Sequence, residues 1–286
     1  MFSITLASFE MQKLIFIGWI MLGFVRLGFS QNPVEANPSL VFGTEAEKFF
    51  WASGTDDPFQ LFRAVQAKET LPSGKWSELI QELDSKATKK DDKLDLLRLI
   101  FQKTHQILLK KYIQHATFND MLSEGKYDCV SGSAALGLLL EHYGYTFDIV
   151  ETDYHVFIAV DLNGKKIVLE STLPVGGMIT STSEVVKYLD SYRPEEFAQL
   201  KDLNQGLAGI DIAYADNSIF RKVTLQELAG LQYYNDAIVH FNSQAFGPAV
   251  DQLSKAYLLY PSDRILGLRE LSVDLAYKTF GYELKK

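Results

Sequence analysis

The chain has 286 residues, 47% of them hydrophobic and 22% charged, which excludes a fibrous or intrinsically disordered protein. A net charge of -8 without a concentrated basic stripe argues against non-specific nucleic-acid binding. Cys129 is the only cysteine, so no internal disulfide can form, and the histidines show no metal-ligand spacing; neither a metal nor another cofactor is expected.

Leu14 to Val25 is an unbroken apolar run, preceded by Lys13 and followed by Gly28-Phe29-Ser30-Gln31. That length suits a signal-peptide core and is short for a membrane span. Small residues at Gly28 and Ser30 suit cleavage before Gln31. The expectation is a secreted or periplasmic mature chain with no stable membrane span. Arg26, directly after the run, speaks for the alternative of a buried core helix or a membrane anchor.

Residues 31–90 read as a helical segment, with Pro72-Ser73-Gly74 marking a loop between short helices. Lys89 to Lys93 reads as a solvated linker and helix start. From Asp91 to Tyr112, Leu94, Leu97, Phe101, Thr104 or His105, and Leu108 recur at helical spacing and give one apolar stripe. His105, on or beside that stripe, reads as a packed or partly exposed histidine rather than a ligand.

Between residues 127 and 173 the pattern changes. A helix is expected from about Val130 to Tyr143, ended by Gly144. Three β-branched and aromatic runs follow, Thr146 to Glu151, His155 to Leu162 and Lys165 to Thr172, and read as strands. Asn163-Gly164 between the last two is a strong hairpin signal. With a two-residue turn there, Leu162 pairs with Lys165, Val160 with Ile167 and Phe157 with Glu170. His155, Phe157, Ala159 and Asp161 then share one face with Lys166, Val168, Glu170 and Thr172. Glu170 lies diagonal to His155, within reach of long side chains. The other face carries Val156, Ile158, Val160, Leu162, Ile167 and Leu169, a core side.

After Pro174-Val175-Gly176-Gly177 the helical pattern returns. Ser181 to Glu184 and Thr224 to Glu227 both have capping-box spacing and predict helix starts. From Tyr233 to Pro261, Ala237, Ala249, Leu253, Ala256 and Pro261 resemble the small, small, bulky, small, proline positions of one tetratricopeptide repeat, while Asp236 departs from the usual leucine. A plain helical hairpin fits the same residues equally well. Either must pack on neighbours such as the helix expected from about Ile265 to Phe280.

A thiol at a helix start, with an imidazole and a carboxylate downstream on a hairpin, is the material for acyl transfer. Cys129 would be the nucleophile, its pKa lowered by the helix start and opposed by Asp128 beside it. His155 would move the proton, and Glu170 would orient the ring and fix its tautomer. The small residues Ser131 to Ala135 would let this helix start pack closely on the strand carrying His155.

Cys129 opening a helix, His155 in Asp153-Tyr154-His155-Val156-Phe157 and Glu170 in Leu169-Glu170-Ser171-Thr172 resemble the transglutaminase-like branch of the papain-like cysteine superfamily. The resemblance covers about fifty residues closely. That family usually has aspartate where this chain has Glu170, and the cysteine–histidine interval here is short. The resemblance implies a cysteine-bearing helix packed on a small antiparallel sheet, and thiol chemistry on amides. The backbone amide of Cys129 is one candidate oxyanion donor, with Tyr127 or Asn119 as side-chain candidates.

The expected fold is therefore α+β and helix-rich, with that helix and sheet plus a C-terminal helical hairpin. Its segments are a signal peptide (1–30), a helical segment (31–90), a transglutaminase-like domain (91–222) and a tetratricopeptide-like segment (223–286). The expected function is a cysteine-dependent amidase, peptidase or acyltransferase acting on a peptide or protein substrate through Cys129, His155 and Glu170. The competing expectation is a catalytically inactive domain that binds a protein partner through its C-terminal helical segment.

Overall fold

The computed structural model describes residues 40–68, 74–87, 92–192 and 219–284, so the apolar run at 14–25 and the cleavage point expected at Ser30/Gln31 lie outside the described residues. Among the described residues no helix is long and apolar enough to cross a membrane.

Helix starts follow local capping chemistry. Thr44 caps α1 (Glu45–Ser53), and Asp57 caps α2 (Pro58–Ala64), whose first position is a proline that has no amide to satisfy. After α3 (Gly74–Ala87) comes α4 (Lys93–Ile107), capped by Asp92 and burying Leu97, Ile100, Phe101, Thr104 and His105. This helix stops five residues short of the expected Tyr112. Lys111–Tyr112 instead forms β1, paired in parallel with β2 (Lys126–Tyr127) on either side of α5 (Phe118–Glu124).

α6 (Cys129–His142) is the centre of the molecule. Eleven of its residues, from Val130 to Leu140, are buried, as expected of a helix apolar on every side. It touches α2, α4, α5 and two strands of the sheet. Asp128 caps it by accepting the Ser131 amide at 2.7 Å, while the Ser131 hydroxyl accepts the Asp128 amide at 2.9 Å. Tyr143 ends the helix and Gly144 takes a left-handed conformation, φ 69°, which glycine adopts without steric cost.

Among the described residues the sheet is antiparallel and has five strands in the order β6-β5-β4-β3-β7. β3 is Thr146–Thr152, β4 Val156–Leu162, β5 Lys165–Leu169, β6 Met178–Ile179 and β7 Phe220–Val223. Leu162 pairs with Lys165 and Val160 with Ile167, the register derived from Asn163-Gly164. Both turn residues have positive φ, 55° and 75°, as a type I′ hairpin turn requires.

Each face of the sheet is covered. Phe147 and Ile149 of β3 approach Gly137 of α6, and Ile158 and Val160, paired with them, share that face. The opposite face, Val150, Phe157, Ala159 and Val168, lies beneath Val185, Tyr188 and Leu189 of α7 (Thr182–Asp190) and beneath Tyr192 just after it. The start of α7 is where the capping box predicted it, yet Ser181 makes no side-chain cap; its hydroxyl pairs with that of Ser183 at 3.1 Å.

The C-terminal helices are α8 (Leu225–Asn242), α9 (Phe246–Leu259) and α10 (Asp263–Phe280). α8 begins at the capping box expected at Thr224, with the Glu227 amide donating to Thr224 Oγ1 at 3.1 Å. Tyr233, Ala237, Ala249, Leu253 and Ala256 are all buried, so the small positions sit where α8 and α9 approach each other. Asp236, in the place of an expected leucine, is buried and accepts from Gln66 at 2.6 Å and Gln252 at 2.7 Å. α8 also packs on α2 and α6, and Gln232 accepts the Phe118 amide at 2.9 Å while donating to the Phe62 carbonyl. Glu151 of β3, 1% exposed, receives Arg221 at 3.0 Å as well as Tyr260 and Arg264 from the C-terminal helical region.

Candidate active site

β5 ends at Leu169, three residues earlier than the pattern suggested, because the chain folds back on itself there. The Thr172 amide and hydroxyl both donate to Glu170 Oε1, at 2.8 and 2.6 Å, and the Glu170 amide donates to the Gly177 carbonyl at 2.8 Å. Continued in register, Ser171 would have faced Val156 of β4. With the strand turned away, the N-terminal turn of α6 occupies that place. Ser133 Oγ donates to the Val156 carbonyl at 3.2 Å, and the Val156 amide lies beside the Cys129 sulfur. Cys129 and Ser133 are one helical turn apart, so one face of α6 meets both polar groups of Val156. Gly132, between them, makes this approach possible: a Cβ there would stand 2.9 Å from the Ser171 side chain and 3.1 Å from the Tyr127 ring.

His155 immediately precedes β4. A small turn holds its backbone: the Thr152 amide donates to the His155 carbonyl at 2.8 Å, and the His155 amide donates to Thr152 Oγ1 at 3.1 Å. His155 Nε2 lies 2.5 Å from Glu170 Oε2, so the contact derived from the hairpin register is present. The Tyr188 hydroxyl donates to that same oxygen, also at 2.5 Å. Tyr192 stacks on the imidazole, with ring centroids 5.9 Å apart and planes 22° apart. The structure thus brings His155 and Glu170 into contact, and brings Cys129 against Val156, the residue that follows His155.

The electrostatics divide the site. Burial pushes the Cys129 thiol up to about 12; the charge of Asp128 adds to this, and the amides of Val156 and Cys129 oppose it only weakly. The lowered thiol pKa expected from the helix start is therefore overturned: desolvation of a thiolate outweighs two nearby amides. Asp128 itself, 3% exposed, is pushed up to about 6 by burial against hydrogen bonds from Ser131, Asn235 and the Val130 amide. Glu170 is also buried, yet its carboxyl is held below the ordinary range, because the hydrogen bond and charge of His155, with Thr172 and Tyr188, outweigh desolvation.

Among the side-chain oxyanion candidates, Asn119 is committed elsewhere. Its amide nitrogen donates to the carbonyls of Arg63 at 2.9 Å and Val65 at 2.8 Å, locking α5 to the end of α2. Tyr127 is buried, edge-on to His105 and to Tyr112. Asp128 engages the Val130, Ser131 and Gly132 amides through its side chain or carbonyl, while the Cys129 amide faces the sulfur. The Cys129 amide is thus the backbone donor at this helix start that is turned toward the thiol.

Three aromatic neighbours went unread in the sequence. Tyr188 and Tyr192 arrive from α7 and the turn after it, and no local signal ties them to His155. Tyr112, 48% exposed, is brought beside Tyr127 by the β1–β2 pair, and its phenol is pushed up by partial desolvation and then by the charges of nearby acidic groups. His105 is buried against Phe101, its ring nitrogens having no hydrogen-bond partner among the described residues, and burial pushes it down to about 4. Among the described residues no cluster of three or more histidine, cysteine or acidic side chains is arranged to hold a metal ion.

No family model, curated protein or solved structure matches this chain in comparison with known proteins.

Proposed function

We propose that the protein is a cysteine-dependent amide hydrolase or acyltransferase of transglutaminase-like type, acting on a peptide or protein amide. The observation that carries this reading is the His155–Glu170 pair, 2.5 Å apart with its carboxylate buried, set beside the N-terminal turn of α6 that bears Cys129. With the thiol pushed up to about 12, Cys129 is neutral at rest, so its proton must leave as the sulfur attacks. His155 is the base. Nε2 is engaged by Glu170, which leaves Nδ1 to accept the thiol proton.

The sulfur–carbon bond forms on the amide carbonyl, whose oxygen becomes an oxyanion at the Cys129 amide. The imidazolium then gives its proton to the leaving amine as the carbon–nitrogen bond breaks, and a thioester remains. Water completes hydrolysis, whereas a second amine completes transfer. Glu170, held ionised in its buried site, orients the imidazole in both half-reactions.

The test is alkylation of Cys129 by iodoacetamide in wild-type and H155A protein. A rate that falls when His155 is removed supports the reading. An alkylation rate and pH profile indifferent to His155 overturns it.

A second reading, a partner-binding module without catalysis, has one observation in its favour. Tyr277 and Phe280 on α10 and Tyr282 just beyond it are 61%, 46% and 63% exposed. Under that reading C129A leaves every cellular role of the protein intact.

A further inference from the structure

Glu170 presents its two carboxylate oxygens to four donors. Oε1 takes the Thr172 amide and hydroxyl; Oε2 takes His155 Nε2 and the Tyr188 hydroxyl, each at 2.5 Å. A carboxylate has about four lone-pair positions, so this one is saturated. Two donors come from its own turn and fix one oxygen. The other oxygen is shared by the imidazole and a tyrosine that arrives on another element.

The tyrosine is held as firmly as the acid. Its ring meets Phe157 edge-on at 5.1 Å and Tyr192 at 5.2 Å, and Tyr192 in turn stacks on His155. The phenol and the imidazole are thereby fixed to one another through an aromatic triangle as well as through Glu170. Burial, then the charge of Glu170, keeps the Tyr188 phenol protonated far above neutral pH, so it is a permanent donor.

We infer that Tyr188 is a positioning residue for the reaction at Cys129, a role that rests on the amide-chemistry reading of this site: its hydroxyl holds Glu170 Oε2 where His155 Nε2 needs it. Tyr188 draws on the same oxygen as the imidazole, so it sets both where the carboxylate points and how much of its charge His155 receives. Through Tyr188, the placement of α7 over the sheet reaches the reacting groups.

The test uses full-length wild-type and Y188F protein carrying carbon-13 in the glutamate carboxyls. Phenylalanine keeps the ring and its packing and removes only the donor. Glu170 is expected to titrate about one pH unit higher in Y188F, because a hydrogen bond to its ionised form is gone. Alkylation of Cys129 at neutral pH is expected to slow about tenfold. A tyrosine that merely anchors α7 would lower stability and move neither readout. An unchanged Glu170 titration in folded Y188F overturns the inference, as does unchanged alkylation where H155A slows it.

Should Y188F not fold, wild-type protein labelled at the tyrosine ring carbons gives the answer. The Tyr188 resonance must shift where Glu170 titrates, and one that ignores that titration overturns the inference. If wild-type alkylation ignores His155, the amide-chemistry reading fails, and the role of Tyr188 in the reaction fails with it. A Glu170 titration that still rises in Y188F would then mark Tyr188 as a partner of the carboxylate alone.

Discussion

Two buried carboxylates flank the thiol, one capping α6 and one closing β5, and they answer burial in opposite ways. Asp128 is pushed up to about 6, whereas Glu170 is held below the ordinary range. Both accept several hydrogen bonds. The difference lies in who donates: Asp128 has amides, a serine and Asn235, all neutral, while Glu170 has His155, which can carry a positive charge. Neutral donors reduce the desolvation cost of a buried carboxylate; an ionisable partner reverses it. One acid is built to hold a helix and the other to hold a charge.

Removing the ionisable partner should abolish the contrast. In H155A, Glu170 is expected to behave like Asp128 and titrate above its ordinary value, with Cys129 alkylation slowed about a hundredfold. Carboxyl titration and alkylation kinetics read the two effects on one sample. A Glu170 that still titrates low would show that Thr172 and Tyr188 suffice without the imidazole.

The next effect comes from prising the two regions apart. Gly132 of the α6 start lies against Ser171, the neighbour of Glu170, and the Cβ of G132A would meet that side chain at 2.9 Å. A loss of about 2 kcal/mol is expected from such overpacking, read as a lower urea midpoint, with the His155–Glu170 pair disturbed in the same variant. Full stability would show that the contact has room to give.

Asp128 gives the smallest effect. Its folded-state value is raised, so the stability it contributes is present below the unfolded value of 3.8 and is lost as pH rises through about 6. Asparagine caps a helix as well as aspartate does, so D128N should keep α6 and remove the buried charge. Stability is expected to gain about 1 kcal/mol at pH above 6 and nothing well below that, with Cys129 alkylated faster. Urea melts on either side of that pH measure it; a D128N protein weaker than wild type above pH 6 would show that the carboxylate is ionised and useful there.

The sequence made the hairpin legible because Asn163-Gly164 fixes a register, and the register alone puts His155 and Glu170 within reach. It also disclosed α6, α7, α8 and the close approach of α8 and α9, since caps and small residues are local signals. What it hid is what depends on distant chain. β1, β2 and β6 are two residues each, too short to show any period, and Tyr188 reaches Glu170 from a separate helix. The thiol pKa is hidden for the same reason: a helix start is visible locally, whereas the burial that dominates is made by tertiary packing. The early end of β5 likewise follows from a turn whose hydrogen bonds no alternation pattern reports.

Glu151 has a consequence for how the chain is made. Its carboxylate sits inside β3, and besides Arg221 of β7 it engages Tyr260 and Arg264, 109 and 113 residues further along. A ribosome releasing the chain from its N-terminus exposes the strand long before either group exists. A nascent or prematurely stopped product ending before α10 keeps Arg221 and Tyr260 but lacks Arg264, and so leaves the buried Glu151 carboxylate with one of its two cationic partners. The last helix thus completes the charge balance of a strand laid down more than a hundred residues earlier.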